Sequence, residues 1–358
     1  MSSDSKKIIG TCFSMCSEKE RHLREREGLL SILEIDEKTK NQRHKKADPA
    51  KTIKCFQRSS AGKSFADDPS ELRPGPVLLL TVRYLLNKVS LRKDVDWSLI
   101  YEFTFDRIRA IRQDMIIQRL DALTSIKILE PIVKFHIYAA ERMRERPLKD
   151  YVPKFNDQHL LECIKQLLVL YDELNYANAD VHEEKQPTDK FEKNEQFTNR
   201  CTIEAVYLLL YLGDPSALSR GLSLPSTYRN SPVVQQALEI SLGWYLKNYV
   251  RVCRKVSQLP SLLAMAVLNN IRSIRRDALE IMSAGYQSKI LTFPGDKLKE
   301  ILIYSDMKKV STDCKLLGID FVDSNLHFKH RLNTDSLTNP EKTFSDTQLD
   351  KFLPYIFF

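Results

Sequence analysis

The chain has 358 residues, enough for two or three structural units with cores of their own, and 42% of them are apolar, an ordinary share for a globular protein. Only 10 glycines are present, and long Leu/Ile/Arg/Glu-rich segments with few alternating stretches point to an all-helical body and away from a sheet protein. A net charge of +8 and a pI near 9.0 are compatible with polyanionic partners without selecting one.

The seven cysteines are odd in number and scattered through apolar segments, the pattern of free thiols in a reducing compartment, so no disulfides are expected. The longest stretch without a charge, Val256 to Ile271, contains a proline and two asparagines and falls short of the roughly 20 apolar residues that cross a bilayer. Residues 1 to 12 lack a secretory apolar region. No membrane contact is expected, and the compartment expected is nuclear or cytoplasmic.

The first 70 residues read as an extended arm with one helix, Glu18 to Leu33, and a basic linker. From Lys40 to Lys63 the linker carries eight Lys/Arg against one acid, Asp48, as either a solvated strip or an anion-binding one. Amphipathic helices are then expected at Gly75–Val89, Trp97–Leu120, Thr124–Arg146, Asp157–Ala177, Glu192–Leu212, Pro232–Lys255 and Leu259–Ala284. Ser231-Pro232 offers an N-cap with proline at the first helical position, and Gly213-Asp214-Pro215 ends the helix before it. Antiparallel helices of comparable length with short connections read as a solenoid of helical pairs with tetratricopeptide-like geometry, without a strict period. Asn178 to Thr188 reads as an exposed loop within an acidic section, 150–200, that has 11 acids against 6 bases.

One tract in the second of these helices stands out. Ile108, Ile111 and Met115 make an apolar stripe, yet Asp106, Arg107, Arg109, Arg112, Gln113 and Asp114, followed by Gln118, occupy most of the remaining circumference. A helix this polar implies a buried ionic network between neighbouring elements or an anion-facing surface, because the fixed fork of arginine suits carboxylates and phosphates alike. The structural network is the reading that also accounts for Asp106 and Asp114.

Beyond Leu291 the pattern changes. Phe293-Pro294-Gly295 precedes a short helix, Asp296–Tyr304, and a second, Asp306–Leu317, stops at Gly318, where a left-handed residue is easiest. Two alternating segments follow, Ile319–Val322 and Leu326–Lys329, joined by a turn at Asp323-Ser324-Asn325. Helix, helix, strand, turn, strand is the outline of a winged helix. The tail after Arg331 is polar until the apolar tip Phe352–Phe358, which must dock on the body or on a partner to escape water.

Catalytic and metal chemistry finds little support. Gly62-Lys63-Ser64 lacks the glycine a phosphate loop needs five residues earlier, where Gln57 stands. Cys12, Cys16 and His22 supply three ligands where structural zinc needs four, and packing is the favoured reading. His136 and His159 lie within helices, away from any nucleophile turn, and read as core or helix-end residues. No cofactor is implied, and the chain is read as no enzyme.

Several fragments, taken in order, resemble a known family. Gly10-Thr11-Cys12 with Met15-Cys16 and Glu18 comes first, then Lys54 through Gly62, Leu72-Arg73-Pro74, and Thr81 with Tyr84-Leu85. With the Asp106–Asp114 tract ending in Gln118, they are similar to the SAC-domain family of the germinal-centre-associated nuclear protein and the leucine permease transcriptional regulator. The similarity runs from about Gly10 to Arg331. Ser17 departs from it, standing where family members usually carry proline.

The resemblance implies a non-catalytic scaffold for messenger-ribonucleoprotein export, with a PCI-like helical body ending in a winged helix. It implies pairing with the winged helix of a PCI-type protein, a small acidic bracing subunit, and a joint basic surface for the RNA or DNA backbone. The residues that would serve that surface are Lys297, Lys299, Lys308, Lys309, Lys315 and Lys329 in the module, with Arg272, Arg275 and Arg276 on the preceding helix. From Ser241 to His330 there are 14 bases against 8 acids. Without phenylalanine-glycine repeats, a centrin-binding helix or an acetyltransferase-like region, the chain resembles the short, SAC-domain-only members. Those are associated with centrosome duplication and the mitotic spindle, so a scaffold for centrosomal proteins is the alternative expectation. The segments expected are the arm 1–70, the helical body 71–290, the winged helix 291–331 and the tail 332–358.

Overall fold

The structure, a computed structural model, describes residues 8–58, 68–179, 190–330, 332 and 342–357. Among these residues the chain is mostly helical, with fifteen α-helices and three short strands. It divides into two compact units, Met1–Ala139 with Arg146–His182 and Asp350–Phe358, and Ala140–Glu145 with Glu183–Leu349.

In the first unit α1 spans Glu18–Arg26, α2 Gly75–Tyr84, α3 Trp97–Ile117, α4 Ala122–Arg142 and α5 Pro153–Ala179, and the last helix, α15, spans Asp346–Phe357. Helix α4 runs on into the second unit, and α15 begins there. The first helix is seven residues shorter at its end than its apolar spacing suggests, because Gly28 takes a left-handed φ of +68° and turns the chain away. Helix α2 loosens into one π turn at Leu85–Val89, which keeps Leu85, Leu86 and Val89 buried. Helix α3 starts where Asp96 accepts from Ser98 N at 2.8 Å.

The core of this unit lies along α3 and α4. Ile100, Ile108 and Ile111 are fully buried with Ile128, Leu129 and Phe135. Trp97, Tyr101, Phe135, Tyr138 and Tyr151 form one aromatic cluster with ring separations of 5.2 to 6.4 Å. The apolar tip of the chain docks here: Leu353, Ile356 and Phe357 are buried, and Phe357 meets the Tyr138 ring edge-on. The expected loop at Asn178–Thr188 lies mostly outside the described residues, and α5 itself continues to Ala179.

The second unit contains α6 (Lys190–Leu210), α7 (Pro215–Ser223), α8 (Ser226–Arg229), α9 (Pro232–Tyr245), α10 (Tyr249–Val256), α11 (Ser261–Leu268) and α12 (Ile271–Gly285). Helix α6 packs against α9 and α11, with α7 and α8 at its flank.

Two long helices expected from the sequence are each broken. Pro232–Lys255 splits because Lys247 adopts φ +61° and Asn248 caps a new helix through Arg251 N at 3.1 Å. Leu259–Ala284 splits at Asn269-Asn270, where the Asn270 amide donates to the carbonyls of Leu209 and Leu210 at 3.1 Å. Hydrophobic spacing continues through both breaks, so only the polar bonding of the asparagines marks them. Ser231 occupies the cap position before α9 but makes no side-chain cap bond.

After α12 come β1 (Phe293–Pro294), α13 (Gly295–Ile301), α14 (Met307–Leu316), β2 (Asp320–Val322) and β3 (Asn325–His327). The strands form one antiparallel sheet in the order β1-β3-β2, with Phe293 and Phe321 both opposite Leu326. Strand β1 carries too little alternation to be read from sequence. The turn is the two-residue kind, with Asp323 and Ser324 at φ +48° and +63°, and Gly318 ends α14 at φ +70°.

Candidate functional site: a buried ionic core and a basic module

The polar tract of α3 meets the arm. Asp114 is fully buried, and its carboxylate accepts from Lys54 Nζ at 2.6 Å, Arg73 Nε at 2.7 Å and Arg73 N at 3.3 Å. Lys54 Nζ also donates to the Glu71 carbonyl at 2.7 Å, and the Glu71 carboxylate accepts from Ser17 Oγ at 2.6 Å. Gln118 closes this cluster, donating to the carbonyls of Arg73 and Asp114 at 2.8 and 2.9 Å and accepting from Gly10 N at 2.8 Å. A Cβ at Gly10 would stand 2.3 Å from the Leu72 carbonyl oxygen, so no larger residue fits that approach.

A second cluster is centred on Glu34, also fully buried. It accepts from Ile53 N at 3.0 Å, from Arg107 Nη2 at 3.2 Å and from Arg24. Asp106 accepts from Arg107 Nη1 at 2.5 Å and from Phe56 N at 3.2 Å, and Gln113 donates to the Gln57 carbonyl at 3.0 Å. Together these bonds pin both ends of the arm to one face of α3. Each buried carboxylate is paired twice over, as charges removed from water require.

Two arginines of the tract sit apart from these clusters. Arg112 faces α5, with Nη1 3.3 Å from His159 Nδ1 and 3.2 Å from Glu162. Arg109 lies over the Phe56 ring at 3.7 Å and forms no ion pair among the described residues, so it does not belong to the network to which its position in the tract assigned it. Arg24, Glu34, Lys54 and Arg73 were missed as network members. The local signal was faint: Lys54 looked like one more cation of a solvated linker, and nothing adjacent in sequence marks Arg73 for full burial.

Behind α3, His136 is buried with Nδ1 2.9 Å from Asn156 Oδ1 and stacks on His159 at 6.5 Å. Burial pushes the His136 imidazole down to about 3, and burial likewise lowers His159. Desolvation holds the thiols of Cys55, Cys163, Cys253 and Cys314 up at about 12, so they remain protonated and unreactive at neutral pH. All seven cysteines are free, and Cys12 and Cys16 are buried. Among the described residues no group of three or more His, Cys, Asp and Glu is placed to hold a metal ion, and no helix is long and apolar enough to cross a membrane.

The C-terminal module of the second unit has its own small core of Leu298, Leu302, Val310, Cys314, Leu326 and Phe328. Arg275 of α12 is 3% exposed. Its Nε donates to the Leu302 carbonyl at 3.1 Å, its Nη2 donates to the Ile303 carbonyl at 2.6 Å, and its plane covers the Tyr304 ring at 3.8 Å. Arg275 therefore ties α12 to the module and is not part of a surface for polyanions, because it is buried with Nε and Nη2 bonded to carbonyls of the module.

The other basic residues named from the sequence divide by pairing. Lys297 bonds Glu300 at 2.8 Å, Lys329 bonds Asp320 at 2.5 Å and Arg276 bonds Asp277 at 2.8 Å. Arg272, Lys299 and Lys309 are half-buried. Lys308 and Lys315 are exposed, lie seven residues apart on one face of α14, and form no ion pair among the described residues. Lys289, just before β1, is likewise exposed and unpaired among them, and the sequence reading passed over it.

The model of the SAC3/GANP family matches residues 15–323. The chain is 27% identical over 355 residues to SAC3 family protein 1 of Schizosaccharomyces pombe, covering 94% of this chain and 32% of that protein. It is 25% identical to Protein xmas of Drosophila melanogaster, with 91% and 15% covered, and 28% identical to SAC3 family protein B of Arabidopsis thaliana, with 78% and 16% covered. The chain thus spans less than a third of the length of these relatives. The family match runs from the arm that holds Lys54, through Arg73 and the ionic core on α3, to the strand turn of the basic module, and on that extent the chain belongs to the SAC3/GANP family.

Proposed function

We propose that the protein is a non-catalytic scaffold of the messenger-RNA export type, acting in nucleus and cytoplasm, whose C-terminal module is a winged helix that meets the RNA or DNA backbone without sequence preference. Family membership supports the scaffold role. The order β1-α13-α14-β2-β3, with β3 between the other two strands, supports the winged-helix reading, and the paired helices α6 to α12 support a PCI-like helical body. The partners proposed are a PCI-type protein, joined winged helix to winged helix, and a small acidic subunit bracing the pair.

One observation carries the nucleic-acid part: Lys308 and Lys315 share an exposed face of α14, and neither is paired with an acid among the described residues. Unpaired cations aligned on a helix face attract a polyanion through counterion release, whereas paired ones such as Lys297 and Lys329 have less to offer. The test is filter binding of single-stranded RNA to the full chain, with and without its co-purifying partner. Lys308→Glu with Lys315→Glu is expected to cut affinity about tenfold at low salt while the assembly stays intact. Unchanged RNA binding by that variant, with centrosomal proteins dominating what co-purifies, would replace this reading with the spindle-scaffold one.

A further inference from the structure

Among the described residues, Arg109 is the one member of the α3 tract whose charge the fold leaves uncompensated. Its guanidinium is stacked 3.7 Å above Phe56, and its Nε is buried without a hydrogen-bond partner. The residue is only half-buried, so part of the fork stays open to water.

The platform beneath it is fixed. Phe56 N is bonded to Asp106 and the Gln57 carbonyl to Gln113, both on the same helix as Arg109. Arg58 follows directly, exposed and without an ion pair among the described residues. Burial depresses the Arg109 guanidinium, and although Asp106 and Glu162 favour its charge, Arg58 and Arg112 lie close enough to oppose it. The nearby acids are engaged elsewhere: Asp106 with Arg107 and the Phe56 amide, Glu162 with Arg112 and Gln158.

We propose that Arg58 and Arg109, on their Phe56 platform, form a second phosphate-binding site, in the first unit, for the backbone of a single-stranded nucleic acid. A guanidinium held flat on a ring is oriented in advance, so its free edge can donate two parallel bonds to a phosphate with little loss of side-chain freedom. Stacked arginine planes also accept nucleobases, which a phosphopeptide or a lipid headgroup does not supply. Two cations without acids of their own among the described residues, one stacked and one exposed, suit a chain of phosphates better than a single carboxylate. The proposal extends the nucleic-acid reading given for α14 to a different unit of the chain, and the two stand or fall separately.

The test uses the full chain and a fluorescein-labelled 15-nucleotide oligouridylate, read by anisotropy across a series of salt concentrations. Arg58→Glu combined with Arg109→Gln is expected to weaken binding by about three- to tenfold and to lower the salt slope by about 0.7 for each phosphate that is no longer neutralised. Arg109→Lys keeps the charge and loses the planar fork, so it should fall between the double variant and the parent. Arg58 is exposed, so Arg58→Glu alone keeps the test valid should Arg109→Gln fail to fold.

Unchanged affinity and slope in the double variant, with Lys308→Glu/Lys315→Glu still impaired, overturns this site and leaves the α14 reading standing. The opposite pattern upholds this site and removes the other. A phosphoserine peptide whose binding is lost in the double variant while the oligouridylate is unaffected also overturns the proposal.

Discussion

Asp114 and Arg73 are both fully buried, and the Nε–Oδ2 bond between them is 2.7 Å. Arg73 lies immediately before Pro74 at the start of α2, and Asp114 lies in the last turn of α3. With Lys54 Nζ at 2.6 Å from the same carboxylate, one acid compensates two cations brought in by separate segments, one in the arm and one just after it. A pair of this kind is weak support for stability when intact and costly when broken.

Asp114→Ala should therefore destabilise the first unit by about 3–5 kcal/mol, because it strands two buried cations. Asp114→Asn keeps the shape and loses the charge, and should cost less. Urea denaturation followed by tryptophan emission measures both, since Trp97 is buried at the other end of the same helix. A loss below about 1 kcal/mol in the alanine variant contradicts the central role given to this carboxylate.

Gly10→Ala tests how the arm is tied down. The added Cβ would stand 2.3 Å from the Leu72 carbonyl oxygen and 2.9 Å from Gln118 Oε1, so either the bond from Gly10 N to Gln118 breaks or the chain shifts. The expected cost is about 1–3 kcal/mol, as for other overpacked sites. Limited proteolysis should cut the arm near Phe13 faster in the variant; equal cleavage rates would show that the close approach carries no weight.

Acid should loosen the first unit through His136. Its folded value, about 3, lies below its ordinary 6.5, so between those limits the unfolded chain binds more protons than the folded one. Stability from this residue is complete above about pH 6.5 and declines as pH falls toward 3, by up to about 1.4 kcal/mol for each pH unit in that window. His159, shifted the same way, adds to the slope. Melting temperatures at pH 7.5 and pH 5 should differ clearly in the parent and less in His136→Gln, whose amide does not titrate; identical pH dependence in the two would remove His136 as a cause.

Arg275 should matter for the module's attachment and not for nucleic acid. Arg275→Ala frees the carbonyls of Leu302 and Ile303 and uncovers the Tyr304 ring, a loss of about 1.5–3 kcal/mol for a bond made by a charged donor. Hydrogen exchange should report faster opening in α13 and α14. An Arg275→Ala chain that keeps its protection but loses RNA affinity would return this residue to the surface set.

What the sequence determined by itself was local. Apolar spacing marked the helices, Pro232 marked the start of one of them, and Asp323-Ser324-Asn325 marked the tight turn, because each signal is carried by neighbours within a few residues. The ordered fragments from Gly10 to Gln118 were enough for the family, since their order survives without any knowledge of how the chain packs.

Which charges are spent and which are free was decided only by the tertiary structure. Lys54 and Lys308 look alike in the sequence, yet one is buried against Asp114 and the other is exposed on α14. Arg107 and Arg109 stand two residues apart, and only the first meets Glu34, from a loop 73 residues away. Pairing of this sort depends on distances across the fold, and a buried charge declares itself only once the partner that neutralises it has been brought into place.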